Sequence, residues 1–235
     1  MILESPLFSA LLLSILALLL ILPSLRKMPG MGVIPAIFII ALVTWLRGEG
    51  WEAVGLTPPA SWFRILGLST LVGSLIAITA AIVIEPVSER LTGAQHDLSA
   101  LGTIRGNLKN TLIWIAAAWL TAATLEELIF RGFMMRELAS LLGTTFMANT
   151  FNILVISVVF GLAHWYQSKA GALSTGIISL LLGALFIWND FRLWLLVLTH
   201  GVIDSVGLLL IFLGWDQHLS RLIFRAPVTT GQIDD

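Results

Sequence analysis

No charged residue interrupts the chain from Pro6 to Leu25, and windows of this kind recur along its whole length. A membrane-crossing helix needs about 20 mostly apolar residues. Gly32–Leu46 is a second, shorter window, and Ile65–Ile84 is a third. A fourth starts near Thr111 and is expected to continue as one helix to about Arg136. A fifth lies within Leu138–Trp165, from Asn149 onward, after a turn at Leu141-Leu142-Gly143. Ala170–Trp188 and Leu193–Trp215 are the sixth and seventh. These windows predict an all-α, polytopic transmembrane helix bundle of about seven spans, or eight if Leu138–Ala148 makes a partial crossing of its own. The whole chain, 1–235, is expected to be a single membrane domain.

Composition agrees. Hydrophobic residues make up 57% of the chain and charged residues 11%, against roughly a quarter charged in soluble domains. The mean hydropathy is +0.95. A net charge of −1 gives no electrostatic case for nucleic acid. Cysteine is absent, which excludes disulfides, thiolate metal sites and a cysteine nucleophile. The N-terminus is apolar but lacks the basic start of a cleavable signal, so Pro6–Leu25 reads as a span. Trp45, Trp51, Trp62, Trp165, Trp188 and Trp215 stand at or just outside window ends, as in an interfacial aromatic belt. Polar connectors are expected over Arg47–Arg64 and Glu85–Lys109, and a disordered tail over 226–235. With seven spans and an outside N-terminus, Arg26, Lys27, Arg90, Arg105, Lys109, Lys169, Arg221 and Arg225 fall inside. Arg47, Arg64, Arg131, Arg136 and Arg192 then fall outside, so the positive bias is weak.

Three apolar stretches carry ionisable groups: Glu126-Glu127-Leu-Ile-Phe-Arg131, Phe160-Gly-Leu-Ala-His164 and His200-Gly-Val-Ile-Asp204. Such groups cost about 2.5–3.5 kcal/mol each for Asp, Lys or Arg at a span centre and usually mark function. On a helix, Glu127 and Arg131 share a face, so the arginine is expected to neutralise that carboxylate. Glu126 lies about 100° round the helix and is left free to act as a base. His200 and Asp204 also share a face. Phe160 lies one turn before His164, where it packs beside the imidazole, and is the candidate substrate contact. Gly201 and Gly207 would let another helix or a substrate backbone approach. Two chemistries use this set. In one, Glu126 and His164 activate a water while His200 and residue 204 stabilise a tetrahedral oxyanion. In the other, His164, His200 and a carboxylate bind a divalent metal such as zinc. A His-Glu-x-x-His helix is absent.

At these residues the chain resembles the CAAX-protease and bacteriocin-processing (CPBP) group of intramembrane endopeptidases, related to type II CAAX prenyl endopeptidases. That group's motifs are Glu-Glu-x-x-x-Arg, Phe-x-x-x-His and His-x-x-x-Asn or Asp, in this order on transmembrane helices. Here they stand as Glu126–Arg131, Phe160–His164 and His200–Asp204, and the likeness covers roughly Thr111 to Leu213. The resemblance implies peptide-bond hydrolysis in a multi-pass integral membrane protein, in the plasma membrane if the host is bacterial. It implies Glu126 as base with His164 as partner, Glu127 and Arg131 as supports, and His200 with residue 204 at the oxyanion. The partners it implies are the lipid bilayer and a membrane-associated, prenylated or leader-peptide substrate. One position departs from the pattern of prenyl-protein proteases: Asp204 stands where they have asparagine. An amide donates to an oxyanion, whereas an ionised carboxylate does not. Asp204 must therefore be protonated, orient His200, or bind a cation. The alternatives are a non-proteolytic maturation or immunity-type binding protein on the same scaffold, and a proton-coupled transporter using the buried groups as a relay.

Overall fold

The computed structural model describes residues 2–28 and 30–215 and is helical throughout, without strands among those residues. Six helices are long and apolar enough to cross a membrane: α1 Pro6–Leu25, α3 Trp62–Thr92, α4 Leu108–Leu142, α5 Phe146–Ala163, α6 ending at Trp188 and α7 Trp194–Leu213. A shorter apolar helix, α2 Val33–Leu46, lies between the first two. The protein is a multi-pass integral membrane protein.

Local chemistry sets the helix ends. Pro6 opens α1, where its missing N–H costs nothing, and Ser5 Oγ accepts from the Phe8 amide. Ser61, Asn107 and Thr145 cap α3, α4 and α5 in the same way. Gly93 (φ +65°) ends α3 and Gly143 (φ +79°) ends α4, in backbone conformations that other residues rarely adopt.

Three expectations need correction. Helix α3 does not stop at Ile84 but runs to Thr92, so the polar loop starts after Gly93. Charge at Glu85 marks where lipid ends, not where helical hydrogen bonding ends. Pro86 and Ser88 stay buried as this extension packs on α6 (Ser168–Trp188). Helix α4 runs six residues beyond Arg136, to Leu142. No eighth crossing forms, because Leu138–Ala148 is divided by the turn at Gly143. The predicted tail, Arg221 and Arg225 lie outside the described residues.

The N-terminus, the 47–61 connector and the 189–193 turn share one face, tied by Leu193 N–H to the Gly55 carbonyl (2.9 Å). The 93–107 loop and the 164–167 turn share the other, tied by Asp97 N–H to the Gln167 carbonyl (3.0 Å). Phe63, Phe146, Met147 and Ile34 are exposed, as lipid-facing side chains should be. Lipid is as apolar as leucine, so helices pair where small residues permit close contact. Gly73 of α3 lies so near the Thr199 carbonyl and Val202 of α7 that an added Cβ would stand 2.7 Å from that oxygen. Gly161 of α5 does the same against the Ala172 carbonyl of α6, at 2.6 Å. These are the two most extensive helix pairings, and they bring α4, α5, α6 and α7 around one polar cluster.

Candidate active site

Helix α4 departs from α-helical winding where it matters. Trp119–Glu126 and Leu128–Met135 are wound as π-helix, a wider turn with i→i+5 hydrogen bonds that is frequent at functional sites. The switch shows in two threonines. Thr121 Oγ1 donates to the carbonyl four residues back, whereas Thr124 Oγ1 donates five back, to Trp119 (2.7 Å). A plain α-helix was expected here; α and π winding use the same residue types, so sequence does not separate them.

Arg131 is fully buried, and a buried charge must be paired. Its Nη1 donates to Glu127 Oε1 (2.7 Å), as the i, i+4 spacing predicts. Its Nη2 donates to the Oγ (2.8 Å) and carbonyl (3.2 Å) of Ser179 on α6. Its guanidinium lies 4.9 Å from the Phe160 ring centroid, a cation–π contact. Phe160 is itself buried and stacks on His164 (4.4 Å, 29°). Ser179 had no signal in the sequence beyond being one serine among many in an apolar window.

Glu127 has a second partner that spacing did not reveal. Its Oε1 lies 2.8 Å from His200 Nδ1. A carboxylate accepts, so His200 carries a proton on Nδ1 and turns Nε2 toward Asp204 Oδ2, 3.7 Å away. His164 is fixed by the same logic. Its Nδ1 lies 2.8 Å from the Phe160 carbonyl, which can only accept. In the neutral ring the lone pair is therefore on Nε2, which faces Glu126 Oε2 at 3.7 Å. Glu127 is sealed, whereas the side chains of Glu126 and Asp204 keep 19% and 24% exposure. Access to this cluster therefore runs past Glu126 and Asp204.

All six predicted polar residues thus meet in one network. Arg131, expected among the outside charges, sits at its centre. Gly201 does admit a neighbour: the Trp119 indole of α4, within 2.6 Å of where a Cβ would stand. Trp119 Nε1 donates to Ser205 Oγ (3.0 Å), which donates to the Gly201 carbonyl (2.7 Å). Gly207 faces open space, so among the described residues no other helix closes on it. No three His, Asp or Glu side chains among the described residues converge as a metal centre would require. Both Nδ1 atoms are hydrogen-bonded to acceptors, which leaves the two Nε2 atoms, facing Glu126 and Asp204, as the ring nitrogens open to a further partner.

The fold and site define a class: helical membrane proteins that gather glutamate, histidine and arginine from several spans into one interior cluster. The family model described as Type II CAAX prenyl endopeptidase Rce1-like matches residues 108–206, from the start of α4 through most of α7. Over those residues, less than half of the chain, the protein is similar to that endopeptidase family. No curated protein and no solved structure matches the chain significantly.

Proposed function

We propose that the protein is an intramembrane endopeptidase in which Glu126 and His164 activate the attacking water. The observation that carries this reading is the facing pair of Glu126 Oε2 and His164 Nε2, 3.7 Å apart at the accessible edge of a sealed cluster. That span is too long for a good direct hydrogen bond and suits one water bonded to both groups. Glu126 takes a proton as the water oxygen bonds to the peptide carbonyl carbon. It returns that proton to the leaving nitrogen as the C–N bond breaks.

His200 presents an Nε2–H when doubly protonated, and this donor serves the oxyanion. Asp204 then acts through His200, holding its charge, rather than as a donor itself. This gives the departing residue a role compatible with catalysis. Glu127 and Arg131 are positioning residues: Glu127 fixes the His200 ring, and Arg131 prevents Glu127 from being a lone buried charge. Phe160, predicted to touch substrate, is better placed to orient His164 and cover Arg131. The substrate is a membrane-associated peptide, whether a prenylated C-terminus or an apolar leader.

The test uses proteoliposomes with farnesylated peptides ending in Cys-aliphatic-aliphatic-X and with apolar leader peptides, new termini being read by mass spectrometry. Cleavage should fall about 10³-fold in Glu126→Gln, within the span expected for removing a general base, with unchanged thermal stability. Undiminished cleavage in that variant would sink the reading. An unchanged host phenotype in both Glu126→Gln and His164→Gln would favour the non-proteolytic binding protein.

A further inference from the structure

The cluster is rich in acceptors and short of free donors. Glu126, Glu127 and Asp204 all accept. The Arg131 Nη groups are bonded to Glu127 and Ser179. His164 Nδ1–H is bonded to the Phe160 carbonyl, and His200 Nδ1–H to Glu127. Trp119 Nε1–H is bonded to Ser205, and the Ser205 hydroxyl to the Gly201 carbonyl. If His200 carries a second proton, it faces Asp204. Arg131 Nε–H lacks a partner but is fully buried, so a tetrahedral oxyanion formed at the accessible edge beside Glu126 meets at most one imidazole N–H from the groups named above.

One hydroxyl breaks this pattern. Tyr166, two residues after His164, is half-buried, with its ring 5.9 Å from the His164 ring. Its backbone is anchored to α1, Tyr166 N–H donating to Ser24 Oγ (3.2 Å). Gln167 Nε2 donates to the phenol oxygen (3.0 Å). That amide occupies an acceptor site of the phenol and so directs the O–H proton away from itself. Among the described residues the phenol donates to no protein acceptor, and its oxygen lies within electrostatic reach of both Glu126 and Asp204.

We propose that Tyr166 is a further catalytic residue, its O–H donating to the oxyanion alongside His200 and supplying the neutral donor that Asp204 cannot. The proposal rests on the endopeptidase reading above. Gln167 is then a positioning residue, fixing which way the phenol points. Ser24 and the 164–167 turn hold the ring at the edge where Glu126 and Asp204 are accessible.

The experiment exploits composition: Tyr166 is the chain's single tyrosine. Biosynthetic replacement by 3-fluorotyrosine therefore alters this phenol alone. Cleavage of the peptides named above is measured for wild type, Glu126→Gln, Tyr166→Phe and the fluorinated protein. Tyr166→Phe should lower kcat about 10²-fold, the loss typical of one oxyanion donor, with little change in KM. The fluorinated protein should show the alkaline limb of its pH–kcat profile displaced to lower pH, following the more acidic phenol. If wild type cleaves none of these peptides, or Glu126→Gln cleaves like wild type, the endopeptidase reading fails and takes this proposal with it. With that reading upheld, full kcat in Tyr166→Phe overturns the tyrosine alone. A large loss in Tyr166→Phe with an unmoved pH profile in the fluorinated protein also overturns it, because a packing role depends on the ring and not on phenol acidity.

Discussion

Helix α4 carries two buried carboxylate–arginine pairs that use the same chemistry to opposite ends. At its far end Glu137 meets Arg47, the residue that closes α2. Arg47 Nη1 and Nη2 donate to the two carboxylate oxygens at 2.9 and 2.7 Å. Ser9 of α1 donates to Glu137 Oε1 at 2.5 Å, and Arg47 Nε and Nη2 donate to the Leu3 carbonyl. Both oxygens of Glu137 are satisfied, and the fork-to-fork geometry is the strong form of this pair. The Glu137 carboxylate, against the opposing effect of burial, holds the Arg47 guanidinium above its ordinary pKa. The Glu127–Arg131 pair is more deeply buried but incomplete. Glu127 Oε2, Arg131 Nε and the neighbouring Asp204 Oδ2 lack partners. Unsatisfied buried polar atoms are rare in folded proteins and call for an explanation. The finished pair pins α1, α2 and α4 together; the unfinished one leaves polar atoms unpaired inside the sealed part of the cluster, beneath Glu126 and Asp204.

Mutations can break this contrast. The largest effect is expected from Arg131→Met, which leaves the carboxylate of Glu127 buried without its counter-charge. It should cost about 3–5 kcal/mol of stability and abolish cleavage as well, read as thermal unfolding in detergent and as turnover. Arg47→Met should lower stability by about 1.5–3 kcal/mol through lost charge-assisted bonds. Turnover of the folded fraction should stay within about twofold, since the chemistry lies elsewhere on the helix; a 100-fold loss would dissolve the distinction between staple and site. Thr199→Val removes a fully buried hydroxyl that has no partner. It should be neutral or stabilise by about 1 kcal/mol, and marked destabilisation would mean that hydroxyl is in use.

The smallest effect is a pH response outside the membrane. Burial lowers the pKa of His96 in the 93–107 loop, against the opposing pull of Glu89. Its ring touches Ser174, its backbone N–H donates to Glu89, and the adjacent Asp97 faces Lys27. The docked loop favours the neutral ring. Its stability is therefore complete above the ordinary histidine pKa of about 6.5 and lost as pH falls through the lower folded value. Hydrogen-exchange protection of the His96 and Asp97 amides should drop between about pH 7 and pH 5, and His96→Phe should remove the pH dependence.

What sequence made legible follows from what spacing can encode. The Glu127–Arg131 bond was readable because both residues sit on one helix, four apart. The Glu127–His200 bond was not, because a hydrophobic window does not fix how a span is rotated about its axis. Arg47 and Glu137 escaped notice since charges at window ends look like ordinary interfacial residues. Of the six tryptophans expected at window ends, Trp45, Trp51, Trp62, Trp188 and Trp215 are exposed, whereas Trp165 is half-buried. The length of α3 was misjudged because hydropathy reports the solvent around a helix, not its hydrogen bonds. Tyr166 stood next to His164 in plain view, but nothing in the sequence told which way a phenol would point.

The winding of α4 also works as a vernier against α7. The two helices are latched at two marks, Trp119 to Ser205 and Glu127 to His200. Eight residue steps on α4 are thereby matched to five on α7. At the α-helical rise of 1.5 Å those lengths would be about 12 and 7.5 Å, and the wide turns shorten the longer one. Removing a single residue between Trp119 and Glu126 would leave every named side chain, charge and apolar window in place. Yet the two rulings would fall out of step, and Glu127 could no longer reach His200 while Trp119 held Ser205. An insertion or deletion in this segment is thus a calibration error, and it should be more damaging than most substitutions around it.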